Sequence, residues 1–171
     1  MDLATYFVKI KAGEMDYFHP FYEASKKAIF YNIFALCKDY ALSEDILEET
    51  YLSFLKNIDK IDNSENILGY LMRISKNLTL DYFKKNSRII LSDDIYQQGE
   101  NDTYYLDQKL LLEKIHKILK KDEFKIFLLH VLGDLTFDEI SKTSHKPLGT
   151  ILWKYNSAVK KLRKELEDEY S

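Results

Sequence analysis

Seven basic residues, Lys142, Lys146, Lys154, Lys160, Lys161, Arg163 and Lys164, stand between positions 142 and 164 with no carboxylate among them. Cations at that density neutralise phosphates. Thr150, Asn156 and Ser157 add short polar side chains of the kind that touch base edges, and Trp153, the single tryptophan, adds an aromatic surface. The chemistry implied is nucleic-acid contact rather than bond making. A second basic block, Arg73, Lys76, Lys84, Lys85 and Arg88, is opposed only by Asp81. Elsewhere the sign reverses. Eight acids from Asp39 to Glu65 face only Lys56 and Lys60, and five acids from Ser92 to Asp107 face no lysine or arginine. A net charge of -3 therefore hides two anion-facing surfaces on a chain otherwise kept negative.

Motifs for covalent or metal chemistry are missing. No Walker loop, zinc-type Cys/His cluster or nucleophile motif is present. His19, His116, His130 and His145 lack ligand spacing and read as structural or surface residues, so no catalytic residue, metal or cofactor is expected. Cys37, the lone cysteine, ends an apolar run from Ala28 and reads as a buried small hydrophobe in a reducing compartment. That run is too short to span a bilayer, and no basic-then-apolar leader opens the chain. The expectation is a cytoplasmic protein without membrane insertion and without enzymatic activity.

These residues must be positioned by helices. Five glycines and two prolines in 171 residues argue for an all-α fold. Ser92–Tyr105 is polar and aperiodic, and reads as a flexible acidic linker. The division expected is a domain over 1–90, a linker over 91–105 and a second domain over 106–171. One helix is predicted over Pro20–Lys38, and another from Ser43 as N-cap, with Glu44 and Asp45 in its first turn. In the latter, Leu47, Tyr51, Phe54, Leu55 and Ile58 face a core, leaving Asp45, Glu48, Glu49 and Leu52 on an acidic face with a leucine in it. A polar break, Asp59–Asn66, precedes a helix over Ile67–Lys85 with Leu71, Ile74, Leu78 and Tyr82 inward. Arg73, Lys76, Asn77 and Lys84 share its outward face.

The second domain shows a helix carrying Leu110, Leu111, Ile115, Ile118 and Leu119, and a helix capped by Asp122 that ends at a left-handed Gly133. Thr136 and Glu139 then form a capping box, flanked by Leu135 and Ile140 as a hydrophobic staple. That short helix stops near Thr143, and a long basic one begins at Pro147: the outline of a helix-turn-helix. On a helical wheel Ile151, Tyr155, Ala158, Leu162 and Leu166 cluster as the core side. Trp153 falls opposite them, near Ser157, Lys160 and Lys164, where it either reads a groove or packs on a neighbouring domain or partner.

With these elements in order, the chain resembles the sigma-70 family of bacterial RNA polymerase sigma factors, in its small two-domain extracytoplasmic-function (ECF) group. Ser43–Ile58 resembles the segment that docks on the polymerase clamp, Tyr70–Lys85 the helix for the promoter -10 element, and Leu135–Leu166 the helix-turn-helix that reads the -35 element. The resemblance implies a sigma factor that binds core RNA polymerase and promoter DNA, with an anti-sigma factor as a further partner. It assigns polymerase binding to Asp45, Glu48, Glu49 and Leu52, and -10 binding to Arg73, Lys76, Asn77, Lys84 and Lys85. It assigns -35 binding to Lys146, Thr150, Trp153, Lys154, Ser157 and Lys161, and a wall of the flipped-base pocket to Asp59–Asn66. It also implies that the two domains can pack together and hide both basic faces. Ser141, Ser144, His145, Lys146 and the Ile151-Leu152-Trp153 run depart from the usual pattern, which implies an unusual -35 preference or a domain that binds DNA weakly and leans on polymerase. A helix-turn-helix regulator, or a degenerate sigma-like adaptor acting without promoter opening, is the alternative; the acidic clamp-like face and the basic -10-like helix speak against a plain regulator.

Overall fold

The computed structural model describes residues 2–62, 66–86 and 103–169, with side chains described from position 110 onward in the last segment. Eight α-helices carry the described residues, with no strand among them: α1 (Leu3–Lys11), α2 (Phe18–Cys37), α3 (Tyr40–Lys56), α4 (Ile67–Asn86), α5 (Thr103–Ile118), α6 (Lys121–Val131), α7 (Phe137–Ser144) and α8 (Leu148–Glu169). The expected linker lies outside the described residues except for its last three positions, which open α5.

The spine is α2. Phe21, Ile29 and Ile33 are fully buried on it, and it packs on α1, α3, α4 and α6. It stops at Lys38, whose left-handed backbone (φ 57°) returns its N–H to Phe34 O. α3 begins earlier than expected. Asp39, not Ser43, is its N-cap and accepts the Leu42 N–H at 2.9 Å, while Ser43 is buried with its hydroxyl donated to the Asp39 carbonyl. The extra turn brings Tyr40 against Phe30 and Phe34, at 5.1 and 5.2 Å between ring centroids.

The inner side of α4 also differs from expectation. Leu71 is fully buried, but Ile74 and Leu78 are half-buried and Tyr82 is exposed. The buried stripe runs through Ser75 and Thr79 instead, and Asn32 of α2 donates to Met72 O and Ser75 Oγ at 3.1 and 3.0 Å. Small, internally satisfied polar groups let the two helices approach closely, which an apolar count does not register.

In the C-terminal half Leu112 and Ile115 lie on the inner side of α5, Leu119 is buried just beyond its end, and Leu110 and Leu111 are exposed. α6 starts beyond Lys120, whose N–H donates to the Glu123 carboxylate at 2.9 Å; Asp122 caps nothing and is used elsewhere. Gly133 is not left-handed. That role falls to Asp134 (φ 57°), and Gly133 is required because a Cβ there would lie 2.7 Å from Leu129 O. The capping box of α7 is present, with Glu139 N–H on Thr136 Oγ1 and Thr136 N–H on Glu139 Oε2, at 3.2 and 2.8 Å. His145 takes φ 54° in the turn, and Ser141 Oγ fastens that turn by donating to Lys146 O at 2.6 Å.

The two halves share their core. Ile126, Leu129, Leu135, Ile140 and Ile151 join the cluster built on α1–α4, and Phe34 and Ala35 of α2 join Leu112, Phe124, Leu128 and Ala158. α7 also packs on α4, and Lys27 bridges to Asp134 at 2.7 Å.

Candidate polymerase and nucleic-acid interfaces

Three charged faces emerge from this frame, each on a helix anchored by its opposite side. On α3 the core residues Leu47, Tyr51 and Phe54 are buried, so helical geometry sends Asp45, Glu48, Glu49 and Leu52 outward. All four are exposed, Leu52 to 68%. An apolar side chain ringed by carboxylates is suited to a basic, partly apolar helical partner.

On α4, Arg73, Lys76, Asn77, Lys84 and Lys85 are all exposed. The Arg73 guanidinium lies 5.4 Å from the Tyr70 ring centroid, and Lys84 reaches Asp81 at 3.7 Å. Tyr82, placed inward by the apolar count, is 41% exposed and pairs edge-on with Phe83. Its signal was the interruption of the apolar stripe by Ser75 and Thr79. Of these residues, Lys76 lies near the C-terminal half. Burial pushes the Lys125 ammonium of α6 below its usual range, and nearby Lys76 and Lys146 push it further. The adjoining loop exposes Asp59, Lys60 and Asp62; residues 63–65 lie outside the described residues.

The face of α8 has partners on a neighbouring helix. The helix has no acid of its own across its basic run, but α6 supplies two. Asp122 accepts from Lys146 at 2.9 Å and from Lys154, and Glu123 accepts from Ser157 at 2.8 Å and Lys161 at 2.7 Å. Four of the six residues assigned to the -35 element are thus engaged within the protein. Hydrogen bonds from Lys154 and Lys146 hold the Asp122 carboxyl at about 2. For Glu123, only 5% exposed, burial raises the pKa, but Lys161, the Lys120 N–H and Ser157 outweigh it and hold it at about 2. The signal was in the sequence: Lys154, Ser157 and Lys161 share one helical stripe flanking the core side, and the acidic pair opens the preceding α6.

Trp153, by contrast, is 69% exposed, with Asn156, Lys160 and Lys164 also outward and Thr150 half-buried. Ile151 and Ala158 are fully buried and Tyr155 and Leu162 are half-buried, as the wheel requires; Leu166 is exposed. Tyr155 stacks with Phe127 and meets His130 edge-on, and His130 in turn stacks on Phe137 with centroids 4.0 Å apart. Among the described residues no group of His, Cys, Asp and Glu could hold a metal, and no helix is long and apolar enough to cross a membrane.

Residues 21–89 match the family model for sigma-70 region 2. The chain is 25% identical over 176 residues to the ECF RNA polymerase sigma factor SigW of Bacillus subtilis, covering 94% of each chain. It is 24% identical over 151 residues to the RNA polymerase sigma factor SigV of the same organism, covering 84% of this chain and 87% of that one. Its fold is similar to that of CnrH, solved in complex with the cytosolic domain of CnrY (TM-score 0.71, 14% identity, 98% of this chain and 99% of that one). It is also similar to the sigma factor RpoE of Bartonella quintana, solved with the anti-sigma factor NepR (TM-score 0.61, 18% identity, 90% and 98% covered).

Proposed function

The chain belongs to the sigma-70 family of RNA polymerase sigma factors, in its ECF group, and from that premise we propose how its three faces divide promoter recognition. Asp45, Glu48, Glu49 and Leu52 dock on core RNA polymerase. Arg73, Lys76, Asn77, Lys84 and Lys85 hold the -10 region, where the exposed ring of Tyr82 can stack on a base of the melted strand. The loop from Asp59 to Asp62 contributes the described part of the wall that receives a flipped base. The protein works by binding alone and promotes opening without covalent chemistry, in the cytoplasm where polymerase and DNA are found.

At the -35 element the engaged side chains divide differently from the exposed ones. Lys146, Lys154, Ser157 and Lys161 orient α8 through Asp122 and Glu123, and reach phosphates only by giving up those bonds. Trp153 and Thr150 read the groove, with Lys160 and Lys164 on the flanking phosphates. The observation that carries the reading is the α3 face, because a regulator acting without polymerase has no use for an exposed leucine set among acids. An anti-sigma factor would act by covering that face or by holding the two halves closed.

The test is run-off transcription with core polymerase on a promoter library, comparing the protein with its Trp153→Ala variant. Specific initiation is expected, with the variant's selection altered at the -35 element. An absence of initiation would favour the regulator or adaptor reading. Unchanged selection by the variant would mean that the indole packs rather than reads.

A further inference from the structure

We propose that Lys11 of α1 is a positioning residue for promoter opening, fixing the chain where it enters the loop assigned above to the base-pocket wall. The proposal rests on that assignment. α1 precedes the residues matched by the family model, and none of the three faces uses it. It is nevertheless firmly built. Asp2 caps it by accepting the Thr5 N–H at 2.8 Å, and Phe7 and Ile10 are buried against α2 and α4. The Phe7 ring lies 6.2 Å from that of Phe54.

From the last turn of this helix Lys11 Nζ donates to the carbonyl of Ile61 at 2.6 Å, across fifty positions of sequence. Neighbouring Lys9 meets a carboxylate, Glu14, as surface lysines commonly do; Lys11 instead serves a neutral main-chain oxygen. Ile61 is the point where the loop path is set. A tight turn, Ile58–Lys60, delivers the chain to it, and its backbone is extended (φ -90°, ψ 113°). Its side chain is buried in the core while its carbonyl takes the ammonium. One end of the residue is thus held by packing and the other by a charge-assisted hydrogen bond. Asp62 follows at the surface, and Ile67 re-enters the core at the start of α4. With the chain at Ile61 held in one path before DNA arrives, the described part of the wall meets a flipped base without first being ordered.

The test uses the full chain with Lys11→Met, which keeps the aliphatic stem and loses the donor, and Lys11→Arg, which restores one. Amide exchange at residues 58–62 should quicken about tenfold in Lys11→Met, the equivalent of losing one charge-assisted bond. With core polymerase, on a promoter recovered with the wild type, Lys11→Met should open duplex about tenfold less and lose base preference at a -10 position. Polymerase affinity should stay the same, and Lys11→Arg should return both properties. Lys11→Gln, a weaker donor, should fall between and serves if Lys11→Met fails to fold. Faster exchange with wild-type opening and base preference would overturn the proposal, leaving Lys11 merely structural; unchanged exchange would overturn it equally. Wild-type protein that initiates from no promoter would instead sink the underlying assignment, and the proposal with it.

Discussion

Glu123 shows how a single side chain can engage several neighbours at once. Read along α8, Lys154, Ser157 and Lys161 are a DNA-facing set; across the gap to α6, they are the partners of two carboxylates. Truncating Glu123 would leave Lys161 half-buried without its partner and the Lys120 N–H without a cap. Glu123→Ala should therefore destabilise the protein by about 2–4 kcal/mol, measured by denaturant unfolding. The same groups give a pH dependence with a definite sign. Asp122 and Glu123 sit at about 2 in the folded chain, against ordinary values of 3.8 and 4.5. Their contribution is fully present above the ordinary values and is lost as pH falls from about 4.5 toward 2. Unfolding midpoints followed through that window should drop, and in Glu123→Gln they should drop less.

Among the elements, the ones best announced by sequence were those whose signals are local. The α7 capping box and the buried Ile151–Ala158 side of α8 follow from spacing within a few residues. The acidic face of α3 was equally legible, because five larger residues fix its opposite side. What local patterns could not convey was who packs on whom. Ser43 looked like a cap until Tyr40 found Phe30 and Phe34 and drew the helix start back to Asp39. Tyr82 looked buried because Ser75 and Thr79, which Asn32 makes room for, carry no apolar signal. The choice among Leu110, Leu111 and Leu112 likewise depends on a neighbour rather than on periodicity. The α3 face supplies the prediction at this scale. Glu48→Lys with Glu49→Lys, both at exposed positions, should leave the melting temperature within a few degrees and weaken association with core polymerase at least tenfold by a pull-down titration. Unchanged affinity would remove the docking assignment.

At the scale of the molecule, the two halves that the acidic segment seemed to separate are joined through α2. Phe34 and Ala35 share a core cluster with α5, α6 and α8 residues, while Ile29 and Ile33 of the same helix belong to the N-terminal core. Calorimetry should therefore record one transition, and Phe34→Ala should lower all of it, by about 3–4 kcal/mol. Two transitions, only one of them shifted, would show the halves to be independent. The arrangement sets Lys76 of one half close enough to Lys125 of the other to help push that ammonium below its usual range, so like charges meet where the halves come together. The shared spine also has a consequence for concentration. Parting the two halves would uncover Phe34 and Ala35, and the surface fitted to them is carried by every other copy. Two opened chains can then exchange C-terminal halves and bury the same residues reciprocally, a swapped dimer made from contacts already present in the monomer.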